Sequence, residues 1–355
     1  MADASSVIDP CTALLKGPGL SKERRADALL IRGRGYHRSK RLELAAQDYA
    51  AASELTPKNV EIWMSWSNVH LRLGPDQGYV DKVERAAKLE PNNARVLRTL
   101  GALYWNLGNR NGAIELYGKA LRADPNEAYT RIFRSRAYSA MGKHAEAIAD
   151  ADALLALPPA ALNRDGYLDQ HGDVRDFTVA ALIHRGELFQ TVGQMDRAAK
   201  DFDAAVNAGR SAPALVARAY FRMETNDASP EALADLEEAT RTEPANASAQ
   251  FALGMSLTHS KMFDRAFTAF DHAVAARPGF SVALKMRARM HRHFQRTDEA
   301  VEDFVAAIEA DPRVVTTSLP ALRHAGYWTS AQAPTSFTPE FQDAIRACML
   351  DTTCN

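Results

Sequence analysis

Proline recurs along this chain at intervals of 34 residues, and this period constrains the fold more than any other feature. One series with this step ends at residue 159 and a second begins at residue 244; together they comprise Pro57, Pro91, Pro125, Pro159, Pro244, Pro278 and Pro312. Counting one period back from Pro244 gives Arg210 in place of a proline. Arg210 lies 51 residues after Pro159, which is one period plus 17 residues. The chain therefore holds eight periods and one insertion of half a period. Because proline stops a helix and a short unit cannot bury its apolar face alone, the period predicts stacked helical units.

Aligning the eight periods shows which positions are small and which are large. The eighth position is small in seven periods: Gly33, Ser67, Gly101, Ser135, Gly186, Gly254 and Ala288. Alanine dominates the twentieth and twenty-seventh positions, and the twenty-fourth is often aromatic, as in Tyr49, Tyr117, Phe202, Phe270 and Phe304. Two helices cross closely only where small side chains meet, and large side chains fill the space around the crossing. Each period is therefore predicted to form one pair of packed helices.

The same spacing resembles the tetratricopeptide repeat, over roughly residues 26–313. The third period carries the family motif best, in Leu97, Leu100, Gly101, Tyr104, Ala113, Tyr117, Ala120 and Pro125. The resemblance implies an all-α fold, a right-handed superhelical solenoid of about eight helix pairs with a C-terminal helical cap. It also implies an inner groove that holds a peptide or partner segment, and no chemistry of its own.

The register predicts five segments. They are an N-terminal helix or cap at 1–25, repeats one to four at 26–159, an inserted loop at 160–178, repeats five to eight at 179–313, and a C-terminal helical cap at 314–355. The aspartates of the insertion do not have the spacing of a calcium-binding loop, so we expect a solvated loop there, one that could gate the groove.

The resemblance places the ligand groove on five positions of each first helix, the second, fifth, ninth, twelfth and thirteenth. We select from them a candidate partner-binding set: Arg34, Asn68, Arg72, Arg98, Trp105, Tyr129, Arg136, Lys285 and Arg289. Arginine binds carboxylates and phosphates through two parallel hydrogen bonds, so the set predicts an acidic segment or a free C-terminus as ligand. The alternative is that these arginines pair with neighbouring acidic residues and that Trp105 packs along the groove wall.

The sequence favours a non-catalytic scaffold or adaptor. It contains no phosphate-binding glycine loop, no zinc-binding His-Glu-x-x-His helix and no nucleophile elbow, so we predict no catalytic residue, no metal and no cofactor. A formal net charge of −1 gives no reason to expect nucleic acid as a partner, and no apolar run is long enough to span a membrane. The expected partner is a protein or peptide; the oligomeric state stays open. The alternative is a cell-envelope protein whose C-terminal cap recognises peptidoglycan or another glycan, because the stretch around "LRHAGYW" faintly resembles bacterial peptidoglycan-binding modules.

The three cysteines, Cys11, Cys348 and Cys354, are too few for a disulfide-rich scaffold. A tail folding back after the last helix would bring Cys348 and Cys354 within disulfide distance, which implies an oxidising compartment. The N-terminal residues contain no signal peptide but resemble the mature start of bacterial exported repeat proteins. These features favour a periplasmic or secreted protein whose leader is absent from this sequence over a cytoplasmic one.

Overall fold

The computed structural model describes residues 5–74, 77–162, 167–168, 174–175, 177–225, 229–329 and 338–350. Within these ranges it contains twenty helices and one pair of two-residue strands. The chain divides into two compact halves, an N-terminal half at Met1–Phe177 and a C-terminal half at Thr178–Asn355. The predicted all-α class is confirmed; the right-handed superhelix stays a prediction.

The N-terminal half begins with one helix and continues with four helix pairs. The first helix is α1 (Ser5–Lys16), and the pairs are α2 (Lys22–Arg38) with α3 (Leu42–Leu55), α4 (Val60–Leu73) with α5 (Gln77–Leu89), α6 (Ala94–Asn106) with α7 (Arg110–Ala123), and α8 (Ala128–Ala140) with α9 (His144–Leu155). A single-turn helix, α10 (Pro159–Leu162), and two strands, β1 (Tyr167–Leu168) and β2 (Val174–Arg175), follow.

The C-terminal half also contains four helix pairs, followed by two single helices. The pairs are α11 (Phe177–Thr191) with α12 (Met195–Ala208), α13 (Ala212–Thr225) with α14 (Pro230–Thr242), α15 (Ala247–His259) with α16 (Phe263–Ala276), and α17 (Ser281–His293) with α18 (Thr297–Ala310). The last two helices are α19 (Arg313–His324) and α20 (Pro339–Leu350), which pack on α18. We number the pairs repeats one to eight and call their members first and second helices.

In repeats one, three, five and seven the two helices cross where the sequence places glycine opposite an aromatic ring. A Cβ atom added to Gly254 would lie 2.5 Å from Cε1 of Phe270, and one added to Gly101 would lie 2.6 Å from Cε1 of Tyr117. The same relation joins Gly33 to Tyr49. Since real Cβ atoms do not come this close, glycine is required for the observed helix separation. The predicted role of the small residues is confirmed.

The turn between the two helices of a pair has a left-handed residue at its fifteenth repeat position. Glycine supplies it in repeats three, four and five, at Gly108, Gly142 and Gly193, with φ between 75° and 82°. Lys40, Lys261 and Gln295 adopt φ near 60° at the equivalent position of repeats one, seven and eight. A side chain with a Cβ is strained in this conformation, so three of the turns carry local strain.

The inserted segment differs from the plain loop predicted at 160–178. Residues Tyr167 and Leu168 pair antiparallel with Arg175 and Val174, and α11 begins at Phe177, before the predicted boundary. Phe177 is fully buried and packs edge-on against Tyr129, with ring centroids 5.2 Å apart. Burial of this aromatic ring explains why the helix starts early.

Candidate functional site

A polar cleft of about 490 Å³ lies among the first helices of repeats one to three. It is lined by Arg34, His37, Tyr49, Glu61, Met64, Ser65, Asn68, Arg95, Arg98 and Thr99, and we call it the first-helix cleft. Three members of the predicted set, Arg34, Asn68 and Arg98, therefore surround one cavity. They come from α2, α4 and α6 because equivalent positions of stacked helices share a face.

Glu61 links two arginines across the cleft. Nη2 of Arg34 donates to Oε2 of Glu61 at 2.7 Å, and Arg95 donates to the other oxygen of the same carboxylate. The side chains of Arg34 and Glu61 are 45% and 46% exposed. An ion pair this exposed contributes about 0–1 kcal/mol, so a ligand carboxylate can compete for the arginines.

Arg98 is held more firmly than Arg34. It donates to Glu127, whose side chain is only 3% exposed, and its guanidinium carbon lies 5.1 Å from the centre of the Tyr129 ring. Glu127 also caps α8, because its Oε2 accepts a hydrogen bond from the backbone amide of Thr130 at 2.6 Å. Arg98 and Tyr129 therefore lie in contact, but the charge of Arg98 is largely compensated by the buried carboxylate of Glu127.

Two residues that line the cleft have polar atoms buried from solvent. They are the hydroxyl of Tyr49, which lies beside Ser65, and Nε2 of His37, which has no hydrogen-bond partner among the described residues. Burial raises the pKa of Tyr49 to about 12, and burial together with the charge of Arg72 lowers the pKa of His37. Both groups are consequently neutral at pH 7. Sequence reasoning missed them, because their positions in the repeat suggest only packing or solvent exposure.

Trp105 is half-buried rather than open to solvent. Its ring packs against a cluster that contains Ala113, Tyr117 and Ala137, and the guanidinium carbon of Arg110 lies 5.6 Å from its centre. The alternative of wall packing therefore accounts for much of this side chain, and ligand contact through its remaining surface stays a prediction.

The other predicted residues are more dispersed. Arg72, near the end of α4, and Arg136, on α8, are exposed, and Arg72 lies close enough to affect the pKa of His37. Lys285 and Arg289 are on α17 in the C-terminal half, where Lys285 is half-buried and Arg289 is exposed. Among the described residues, no ion pair is formed by Arg72, Arg136, Lys285 or Arg289.

The sequence analysis missed an ion pair that recurs between the two helices of a repeat. Arginine at the seventh position and aspartate at the twenty-third form two-pronged bonds in four repeats: Arg32–Asp48, Arg134–Asp150, Arg185–Asp201 and Arg287–Asp303. Repeat six forms the equivalent pair from Arg218 and Asp235. The signal was present in the sequence as an arginine placed sixteen residues before an aspartate.

Three repeats replace this pair by other residues. Repeat two has Trp66 and Lys82, whose Nζ lies 4.3 Å from the centre of the indole ring. Repeat three has two leucines, Leu100 and Leu116, and repeat seven has Leu253 and Ala269. The repeats are therefore similar in backbone but differ in how the space between their helices is filled.

The C-terminal cap packs onto the core of its half. Phe341 is fully buried and lies edge-on to Trp328, with ring centroids 5.3 Å apart. Cys348 is buried on α20, whereas Cys354 lies outside the described residues, so their disulfide stays a prediction. Across the described ranges there is no group of three or more His, Cys, Asp or Glu side chains that could hold a metal ion. None of the helices described is both long and apolar enough to cross a membrane.

Comparisons with known proteins agree with the repeat register. Models of the tetratricopeptide repeat match residues 94–127 and residues 217–281. The first match coincides with repeat three, and the second covers repeat six and repeat seven. No curated protein sequence matches the chain significantly.

Solved structures share the fold at low sequence identity. The crystal structure of a tetratricopeptide repeat protein from Parabacteroides merdae is 17% identical, with 75% of this chain and 98% of that chain covered and a TM-score of 0.56. Yeast Tom70 is 17% identical, with 89% of this chain and 61% of that chain covered and a TM-score of 0.57. A chain of the APC/C hetero-tetramer Cut9–Hcn1 is 15% identical, with 86% and 56% covered and a TM-score of 0.49. The chain thus spans less than two thirds of Tom70 and of the Cut9–Hcn1 chain, and these likenesses concern the fold alone.

Proposed function

The chain is a tetratricopeptide-repeat protein, and on this basis we propose that it is a non-catalytic scaffold that binds an acidic peptide or protein segment in the first-helix cleft. The observation that carries the proposal is the set of three arginines, Arg34, Arg95 and Arg98, around one cavity. The proposal assigns the protein no catalytic residue, metal or cofactor.

The charge balance of the cleft favours an anionic ligand. Its three guanidinium groups are paired with two carboxylates, those of Glu61 and Glu127, and His37 is neutral at pH 7. One positive charge is therefore in excess. A carboxylate of the partner would take the place of Glu61 on Arg34 or Arg95, at little cost because that ion pair is exposed.

The neutral groups of the cleft add hydrogen-bonding capacity. Asn68 would contribute an exposed amide at the rim, which can donate to a carboxylate or carbonyl oxygen of the ligand.

Glycan recognition by the C-terminal cap has less support. Trp328, in the stretch that suggested it, is half-buried and packs on Phe341 of α20, which is fully buried. The ring of Phe341 therefore offers no open platform for a sugar.

Affinity capture from the native host followed by mass spectrometry tests the proposed function. The variant combines Arg34→Ala, Asn68→Ala and Arg95→Ala, all exposed, and leaves Arg98 in place so that Glu127 keeps its partner. A matched control combines three exposed basic residues outside the cleft, Arg24→Ala, Lys88→Ala and Arg122→Ala.

We expect the wild type and the control to retain the same partners and the cleft variant to lose those with acidic segments. Retention of every partner by the cleft variant, with its helicity unchanged by circular dichroism, would show that this cleft is not the binding site.

A further inference from the structure

A second cavity, of about 760 Å³, lies in the C-terminal half between the second helices of repeats six and seven. Its walls are α14, the turn after it, and α16, and its floor is α15. We call it the α14–α16 groove, and it is lined by Glu237, Thr240, Arg241, Pro244, Ala245, Gln250, Leu253, Leu257, Arg265, Thr268, Ala269, His272, Ala275 and Ala276. None of the residues proposed to bind the acidic segment is among them.

The groove lies where repeat seven lacks the recurrent ion pair. Leu253 and Ala269 occupy the seventh and twenty-third positions, which hold arginine and aspartate in repeats one, four, five and eight. Leucine and alanine are smaller than arginine and aspartate and carry no charge. The space that a side-chain pair fills elsewhere is consequently open here, and its surface is apolar.

The floor of the groove is continuous with the hydrophobic core. Leu253, Leu257 and Ala269 belong to the same cluster of buried residues as Phe270. Ala275 and Ala276, at the end of α16, are exposed, so that part of the wall is apolar and has only short side chains. A partner side chain that enters the groove would therefore meet a packed surface, and a partner backbone could approach closely.

The rim of the groove is positively charged. Four of the groove-lining residues are titratable: Glu237, Arg241, Arg265 and His272. Nη2 of Arg265 donates to Oε1 of Glu237 at 2.6 Å, which neutralises both charges. Arg241 is exposed and forms no ion pair with any residue that the structure describes. Among the groove-lining residues, positive charges thus outnumber negative ones by one, and Arg241 also acts on the carboxylate of Glu238, whose pKa it helps to lower after Arg210.

We propose that the α14–α16 groove docks an amphipathic helix of a partner protein that carries an acidic residue. Aliphatic side chains spaced three or four residues apart enter between α14 and α16, because this spacing lines one face of a helix and ridges of side chains pack into grooves between helices. The acidic residue pairs with Arg241. The side chains of the incoming helix fill the space that Leu253 and Ala269 leave open in repeat seven.

Selection from a phage-displayed library of helical peptides, with one helix face randomised, tests this proposal on the full chain. Peptides are selected on the wild type and their affinities are then measured by fluorescence anisotropy on two variants. The first combines Leu253→Arg with Ala269→Asp, which copies the pair of the other repeats and fills the groove. The second is Arg241→Glu, and its matched control is Lys200→Glu, an exposed basic residue of the same half outside the groove.

The expected peptides carry aliphatic residues three or four positions apart together with an aspartate or glutamate. Their affinity should fall at least tenfold on the filled double variant and on the Arg241 variant, and should be unchanged on the Lys200 control. The Arg241 variant decides the outcome if the double variant loses helicity. Failure to select any peptide, equal affinity for the Arg241 variant, or a selected set that is basic would each overturn the proposal. The Arg34, Asn68 and Arg95 variant should bind these peptides as the wild type does, which separates this proposal from the first-helix cleft.

Discussion

Arg32 and Asp48 join the two helices of the first repeat through a two-pronged ion pair. Nε of Arg32 donates to Oδ2 of Asp48 at 2.8 Å, and Nη2 donates to Oδ1 at 2.6 Å. Asp48 is only 5% exposed, so its charge depends on this arginine for compensation. The same geometry recurs in three further repeats, which makes the pair a property of the repeat and not of one position.

Arg32→Ala should destabilise the protein by about 2–4 kcal/mol, because it leaves a buried carboxylate unpaired. Replacing both partners, with Arg32→Leu and Asp48→Leu, copies the pair found at Leu100 and Leu116 and should cost much less or be neutral. The midpoint of urea unfolding measures both effects. If the double variant were as unstable as Arg32→Ala, the loss would come from packing and not from the unpaired charge.

Gly254→Ala should destabilise the protein by about 1–3 kcal/mol, because the added methyl group would overlap the buried ring of Phe270. Gly118→Ala is the matched control. Its added Cβ would have no neighbour closer than 3.5 Å, and it lies inside α7. Inside this helix, the higher helix propensity of alanine should stabilise the protein by up to about 1 kcal/mol. Thermal unfolding followed by circular dichroism should show a lower midpoint temperature for Gly254→Ala and a higher one for Gly118→Ala. A shift in the same direction for both variants would contradict the close helix crossing at Gly254.

Lys261→Gly should stabilise the protein by about 0.5–1 kcal/mol. Lys261 has a φ of 57°, a left-handed conformation that costs a residue with a Cβ more than it costs glycine. The reverse change, Gly142→Ala at the equivalent turn of repeat four, should destabilise by about 1 kcal/mol, since its φ is 75°. Differential scanning calorimetry of the pair checks the prediction, and a destabilised Lys261 variant would indicate that the lysine side chain makes compensating contacts.

His37 should make the stability of the protein depend on pH below its ordinary pKa of 6.5. Its pKa is lowered in the folded state by burial and by Arg72, so the unfolded chain binds a proton more readily than the folded one. Stability is therefore greatest above pH 6.5 and falls as the pH decreases from 6.5 toward the lowered folded-state pKa. His37→Gln should reduce the loss of stability between pH 7 and pH 5, measured as the shift of the urea midpoint. An identical shift in wild type and variant would exclude a contribution from His37.

The sequence was sufficient to predict the helix pairs and the positions at which their helices cross. Glycine at the eighth position and an aromatic ring at the twenty-fourth belong to the same repeat, so a pattern inside one period predicts that they meet, as Gly33 and Tyr49 do. The register also placed Arg34, Asn68 and Arg98 on equivalent faces, and the structure brings them to one cleft.

The electrostatic state of that cleft could not be predicted in the same way. Arg34 and Arg95 pair with Glu61, which lies in a different repeat from either of them, and Arg98 is held by Glu127 of the following turn. Which charge is paired depends on side-chain directions in stacked helices. The period of the sequence does not contain that information.

The sequence alone thus determined the all-α class, the repeat, its register and the positions where helices cross, because these follow from steric requirements that act within one period. Only the tertiary structure decided which arginines are paired within the fold. It also decided that α11 begins at Phe177, which packs on Tyr129, and that a groove is open beside Leu253 and Ala269. These outcomes arise between neighbouring helices, where a side chain is satisfied or left open according to what the next element places beside it.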